Sequence, residues 1–133
     1  MQERTFIHKT HKKLPLSIYR WKINDPYHGG VPDCFYAGSA GHCFIEYKFK
    51  KELPKRDRTP INFNLSTQQE LWLTERNKQG VPCYLVLAVD SLVVITQKFS
   101  KANNYLTKDF LEDSMTFEDF VAKLTKMCVE YGT

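Results

Sequence analysis

The stretch "GVPDCFYAGSAGHCFIEYKFK", residues 30–50, decides how this chain is read, because it spells two strands around one tight turn. "DCFYA" and "HCFIEYKFK" are aromatic-rich and alternate, and "GSAG" between them is turn chemistry. If that turn closes symmetrically, the cross-strand partners are Ala37 with His42, Tyr36 with Cys43, Phe35 with Phe44, and Asp33 with Glu46. Alternation then gathers Asp33, Phe35, Phe44, Glu46 and Lys48 on one face, and Cys34, Tyr36, Cys43, Ile45, Tyr47 and Phe49 on the other. Asp33 and Glu46 stand opposite each other with Cβ atoms roughly 5 Å apart. A slip of one residue would send Asp33 to the other face.

Like charges set opposite each other destabilise a sheet unless something positive lies between them. Two carboxylates at that spacing suit a hard divalent cation, which takes oxygen ligands and keeps several waters. Lys48, two residues beyond Glu46 on the same face, reaches the edge of such a site. A metal-bound water beside a lysine, near basic surface, is equipment for hydrolysing phosphodiesters. The competing reading makes Glu46 and Lys48 the solvent side of an edge strand. Against it, Phe35 and Phe44 on the same face require cover.

Working outward, residues 2–13 fit a short helix that Pro15 ends, and "SIYRWKI" (17–23) fits a strand. "NDPYHGGVP" is a loop. Residues 51–64, with two prolines and many charges, read as a long loop, mobile or functional. "LSTQQELWLTERNKQG" is a helix with clear ends: Ser66 at the N-cap, Gln69 at N3, Gly80 just past the last turn. "CYLVLAV" is a near-continuous apolar run that suggests a strand covered on both faces, and "SLVVIT" follows a turn at Asp90. From a Thr116 cap, Phe117, Phe120, Val121, Leu124, Met127, Cys128 and Tyr131 form one helical stripe. The sum is one mixed α/β domain over 1–133, a central sheet covered by helices.

At 133 residues, 42% hydrophobic and 26% charged, the chain has the composition of a folded globular domain rather than a disordered one. No apolar run approaches the ~18 residues of a membrane span, and "MQERTFIHKTHKK" is no secretory signal, so an intracellular place is expected. Cys34, Cys43, Cys83 and Cys128 form no CxxC pair and read as buried free thiols. A zinc site from Cys34, Cys43, His28 and His42 lacks ligand spacing of the usual kind. The net charge of +4 is mild, but "HKTHKK" and "KFKKELPKRDR" concentrate the positive residues.

At Pro32-Asp33 and Glu46-Tyr47-Lys48 the chain resembles the PD-(D/E)xK nucleases. The wider text "GGVPDCFYAG…FIEYKF…LSTQQELWL…GVPCYLVL" is similar to the small VRR-NUC-type nucleases common in bacteriophages and, more distantly, to archaeal Holliday-junction resolvases. The resemblance runs from about Tyr19 to Ile95. It implies a restriction-endonuclease-like αβββαβ core, with a C-terminal helix added, and Mg²⁺-dependent hydrolysis (Mn²⁺ as substitute) leaving 5′-phosphate and 3′-hydroxyl ends. By the same resemblance Asp33 and Glu46 bind the metal with the backbone carbonyl of Tyr47, and Lys48 orients or activates the attacking water. Gln69 matches the family's site glutamine, with Gln68 as the alternative; the capping box Ser66-x-x-Gln69 accounts for it equally well. Glu3, the only acid before Asp25, is the candidate for the glutamate that many members carry in the first helix.

The expected partner is DNA, held through its phosphates. Lys50, Lys51, Lys55, Arg56 and Arg58 leave the catalytic strand directly into the long loop, and Lys9, Lys12 and Lys13 extend the basic track. His28, Tyr27 and Gly29-Gly30 shape the mouth of the site. The resemblance implies a structure-selective endonuclease for branched or flapped DNA in phage replication or recombination, and a possible homodimer. A nonspecific or nicking nuclease, or a catalytically silent DNA-binding module, are the competing readings. The acidic C-terminal helix is either a dimer surface or core.

Overall fold

The computed structural model describes residues 2–129. The chain runs α1 (Glu3–Lys13), β1 (Tyr19–Lys22), β2 (Cys34–Ala37), β3 (His42–Lys50), β4 (Pro60–Ile61), α2 (Thr67–Lys78), β5 (Cys83–Val89) and β6 (Leu92–Thr96). A 3₁₀ turn at Phe99–Lys101 then leads to β7 (Tyr105–Leu106), α3 (Thr107–Asp113), β8 (Met115–Thr116) and α4 (Phe117–Cys128). The expected αβββαβ order is therefore present in the elements of the main sheet and its helices, with the two-residue β4 inserted before α2; β6 follows and, after intervening short elements, the C-terminal helix.

Six strands form one mixed sheet in the order β1-β2-β3-β5-β6-β8. β3 and β5 are parallel, joined through α2, and the other neighbouring pairs are antiparallel. The hairpin register is the one the symmetric turn demands: Cys34↔Ile45, Phe35↔Phe44, Tyr36↔Cys43, Ala37↔His42. Its tip closes with Gly38 N–H donating to the Gly41 carbonyl, and is held against the end of α4 by Ala40 N–H donating to the Cys128 carbonyl.

Alternation along β3 and β5 splits the core into two layers. Tyr36, Tyr47, Val86 and Ala88 pack under α1 and α4 with Phe6, Ile7, Phe120 and Leu124. Leu85 and Leu87 pack on the other side with Ile61, Phe63, Leu73 of α2 and Phe110 of α3. β5 is covered on both faces, as its apolar run requires. Phe117, Phe120, Leu124 and Cys128 of α4 are buried, so that stripe is core and not a free surface; Val121 and Met127 pack at its edge. Tyr131, assigned to the same stripe, lies outside the described residues. All four cysteines are free thiols and buried.

One reading is corrected, and one segment that the sequence left unassigned is filled in. Residues 51–64 are not one open loop: β4 pairs with β7, and Ile61, Phe63 and Leu65 are buried. The segment from 97 to 116, which shows no clear period in sequence, folds into the 3₁₀ turn, β7, α3 and β8. Their partners are distant: Thr107 gives both its N–H and its hydroxyl to the Thr59 carbonyl, and Asn103 bonds both the N–H and the carbonyl of Leu65.

Candidate active site

Asp33 lies one residue before β2, and the ladder continues through it, since the Ile23 N–H donates to its carbonyl at 2.8 Å. Its side chain accepts from the Tyr47 N–H through Oδ2 at 2.8 Å. That bond fixes the carboxylate against β3. In a strand the N–H and C=O of one residue point the same way, so the Tyr47 carbonyl also faces the Asp33 end of the sheet, beyond the last β2–β3 pairing. Two expected oxygen donors are thus set beside each other by backbone geometry.

Glu46 is only 2% exposed. Its Oε2 accepts from Gln69 Nε2 at 3.1 Å and faces Lys48 Nζ at 3.5 Å. Its Oε1 is buried without a hydrogen-bond partner among the described residues. Burial first, and then the charge of Asp33, push the Glu46 carboxyl up to about 8, against the pull of Lys48. Asp33 is also raised, by burial, with the Tyr47 N–H and Lys48 opposing. Glu3 is raised for the same leading reason and by Asp33, so the first turn of α1 faces this site. The helix is seated there by Phe6, whose ring lies 5.9 Å from that of Tyr47.

Gln69 is placed for both readings that the sequence left open, as a helix cap and beside Glu46. The Ser66 hydroxyl accepts from its N–H and its Oε1 accepts from the Ser66 N–H, which completes the capping box. That leaves Nε2 to reach Glu46. Gln68 instead lies against the glycine pair: a Cβ at Gly29 would meet its Oε1 at 2.4 Å, and one at Gly30, where φ is +84°, would meet its carbonyl oxygen at 2.4 Å. Gly30 is therefore required for conformation and for space. Tyr27 and His28 lie on the exposed loop before it, where Asp25 accepts from both backbone N–H groups and from the His28 ring.

The donor set suits a hard cation. Every donor is oxygen, one buried carboxylate oxygen is unpartnered, and the carboxylates carry raised proton affinity that a cation would displace. Among the described residues no three His, Cys, Asp or Glu side chains converge as a ready-made metal cage. Asp33, Glu46 and the Tyr47 carbonyl would leave positions for water, with Glu3 in electrostatic range. Cys34, Cys43, His28 and His42 do not converge: the two thiols are buried in the layer under α1 and α4, and the histidines lie elsewhere.

The basic residues divide. Lys50 ends β3 four positions beyond Glu46, roughly 13 Å along the strand, and Lys51, Lys55, Arg56 and Arg58 follow it as exposed side chains. Lys9 and Lys13 are not brought to this track: Lys9 lies 4.2 Å over the Phe117 ring, and both line a hollow against α4. Lys12 is on the same helix, with no contact tying it to the carboxylates. Two features escaped the sequence. Lys22 on β1 acts on both Glu3 and Asp33, and His11 joins Tyr36 and Tyr47 in a chain of hydrogen bonds, each 2.7 Å. The second, buried at its Tyr36–Tyr47 end and half-buried at His11, was hidden because His11 reads as part of a charge run. Its pKa is lowered to about 4 by burial and by Arg20, so it is neutral at physiological pH.

No family model matches the chain, and no curated protein matches it. Among solved structures it is similar to the Holliday junction resolvase Hjc of Archaeoglobus fulgidus, an archaeal hyperthermophile. The two share 17% identity and a TM-score of 0.55, over 92% of this chain and 97% of the resolvase. The fold is that of the resolvase. The more specific resemblance to VRR-NUC-type nucleases has no such support.

Proposed function

We propose that this chain is a Mg²⁺-dependent endodeoxyribonuclease that selects branched DNA: junctions, flaps or Holliday junctions. The observation that carries the reading is Glu46, buried with one unpartnered oxygen beside Asp33 and Lys48, on a fold shared with a Holliday junction resolvase. Asp33, Glu46 and the Tyr47 carbonyl would hold the cation, with Glu3 adding charge from α1. A bound Mg²⁺, or Mn²⁺ in its place, would acidify a water and neutralise charge on the phosphate. Lys48 holds its ammonium over the same point and stabilises the developing oxyanion. Gln69 fixes the Glu46 carboxylate. Lys50, Lys51, Lys55, Arg56 and Arg58 take flanking phosphates.

The resemblance in sequence supports a role inside the cell, in phage replication or recombination, with a homodimer as the working form. The test is cleavage of a panel of junction, flap, linear duplex and single-stranded DNA with and without Mg²⁺. Cleavage is expected for branched substrates only, and is lost in Asp33→Ala and Glu46→Ala while binding survives. Losing a ligand removes several kcal/mol of transition-state stabilisation, on the order of 10³-fold in rate. Equal cutting of every substrate would replace structure selectivity by a nonspecific or nicking activity. Binding with no cleavage under any divalent cation would leave a silent DNA-binding module.

A further inference from the structure

The basic surface of this chain does not end with the loop that leaves β3. Glu70, Thr74, Asn77 and Lys78 follow one another along one face of α2, and the 3₁₀ segment Phe99–Lys101 runs opposite them. Between the two lies a groove of about 600 Å³. Lys78 stands on one wall, Lys98 and Lys101 on the other, so lysines from two separate elements meet over one depression. Among the described residues Lys98 and Lys101 form no ion pair, and Lys78 has only an exposed contact with Glu75 at 3.9 Å. Glu70 is the one acid of the described lining, at the end next to Gln69.

The neutral side chains of the groove donate as well. Asn77 Oδ1 accepts from the Cys83 N–H at 2.8 Å, which fixes the amide and leaves its Nδ2 group as a donor. Thr74 and Ser100 add hydroxyls. Phe99, the apolar member of the lining, is buried, so the groove has no exposed ring for a base or an apolar peptide to rest on. Ammonium groups mixed with hydroxyl and amide donors are what contacts to phosphate oxygens use, and they carry no sequence information.

We propose that this groove binds the phosphate backbone of one arm of the DNA substrate, without reading its bases. The inference rests on the nuclease reading and says where the substrate extends beyond the carboxylates. From Glu70 to Lys78 the helix runs about 12 Å at 1.5 Å per residue, a length of B-form strand that carries about three or four phosphates. Three lysines match that number. The groove starts at the candidate site, because Gln69, the neighbour of Glu70, donates to Glu46 at 3.1 Å. It is also tied to the basic loop. The chain beyond Lys101 bonds back to it, the Lys108 N–H donating to the Asp57 carbonyl at 2.8 Å and the Thr107 hydroxyl to the Thr59 carbonyl at 2.7 Å. Lys55, Arg56 and Arg58 on one side and the groove lysines on the other would then hold the backbone on both sides of Glu46.

The test is anisotropy of a fluorescein-labelled four-way junction in EDTA, titrated with the full chain between 50 and 200 mM salt. Lys98→Gln with Lys101→Gln is expected to flatten the log–log salt slope by about 2 and to weaken binding on the order of tenfold, and Lys78→Gln to add about 1 to the change in slope. Ser100→Asp, which keeps every lysine and sets a negative charge inside the groove, is expected to weaken binding about tenfold. Lys123→Gln with Lys126→Gln, exposed on α4, makes the same change in net charge and is expected to leave slope and affinity as they are. Far-UV circular dichroism is expected to be the same for all, since none of these side chains is buried. Groove variants that bind the junction as wild type does overturn the proposal, and the lysines are then left to an acidic protein partner. So does an equal loss in the α4 pair, because net charge alone would explain it. If the groove variants fail in this way while changes in the 51–58 loop still flatten the slope, the nuclease reading stands without the groove; a wild type that binds no DNA ends both.

Discussion

Replacing Glu46 by glutamine is expected to make the metal-free protein more stable, and increasingly so as the pH rises. Glu46 titrates from an ordinary 4.5 to about 8 in the fold, because burial and the Asp33 charge disfavour its ionised form. A raised carboxylate works against folding above its unfolded value: the folded state binds a proton that the unfolded state has released, so stability falls with pH. The loss is absent below pH 4.5, grows between 4.5 and 8, and is level beyond. At pH 7.5 the upper bound is about 4 kcal/mol, at 1.36 kcal/mol per pKa unit. Asp33 and Glu3 share the same field and relax together with Glu46, so about half of that is expected, roughly 2 kcal/mol. For a chain of this size that is a melting-temperature rise of about 6–10 °C. The assay is thermal unfolding in EDTA, wild type against Glu46→Gln, from pH 4.5 to 8.5. A variant no more stable than wild type at pH 7.5, or a gap equal at pH 5 and pH 8, refutes the reasoning. On the proposed function, Mg²⁺ at a hundred times its dissociation constant returns about 2.7 kcal/mol to the wild type, which closes the gap.

The two sets of contacts that Gln69 makes are separable. Ser66→Ala removes the cap without touching Glu46 and is expected to cost about 1 kcal/mol in a urea melt with cleavage unchanged, whereas Gln69→Ala adds a 10–100-fold loss of cleavage. Equal losses of activity in both would reduce Gln69 to a helix cap. Gly30→Ala places a methyl against the Gln68 carbonyl at a φ of +84° and is expected to destabilise the fold by about 2 kcal/mol or more; a loss under ~0.5 kcal/mol would contradict the packing of this loop. Changing Lys51, Lys55, Arg56 and Arg58 to glutamine together is expected to flatten the salt dependence of DNA binding by about 3 in log–log slope, measured by anisotropy between 50 and 200 mM salt. Lys9→Gln with Lys13→Gln, on the α4 side, is expected to leave that slope unchanged.

What was legible in the sequence is what local rules determine. The hairpin register follows from four turn residues and strict alternation, and α2 from a capping box and a glycine stop. What was not legible depends on distant partners. β4, β7 and β8 are two residues long, too short to carry a period: β4 and β7 pair where Thr107 and Asn103 bond across to Thr59 and Leu65, and β8 pairs with β6. Lys22 escaped notice for a related reason: eleven residues separate β1 from β2, so no counting aligns it with Asp33. Glu3 was visible as the first acid of a helix. Its place beside Asp33 and Lys48 comes from Phe6 and Ile7 packing into the layer that contains Tyr47.

Tyr47 explains how the site is held. Its side chain points into the layer under α1 and α4, where its hydroxyl meets Tyr36 and, through it, His11. Its backbone N–H points the other way along the sheet plane and holds Asp33. Because alternate residues of β3 face opposite layers, any packing that fixes Tyr47 also fixes Glu46 and Lys48 on the far side. The network does not loosen as pH moves between 5 and 8, since His11 is already neutral there. The carboxylates are therefore placed by a core that does not titrate with them, and they cannot relieve their repulsion by moving apart. Lys48, Lys22 and Gln69 offset part of the cost of ionising these buried groups, and the raised proton affinity of all three acids, set first by burial, reflects the remainder. Two routes remove that remainder: a proton, which dominates as pH falls, or a divalent cation, which would dominate at neutral pH. A stability that declines between pH 5 and 8 in EDTA and recovers on adding Mg²⁺ would be the signature of the second route; recovery that persists unchanged in Glu46→Gln would locate the cation elsewhere.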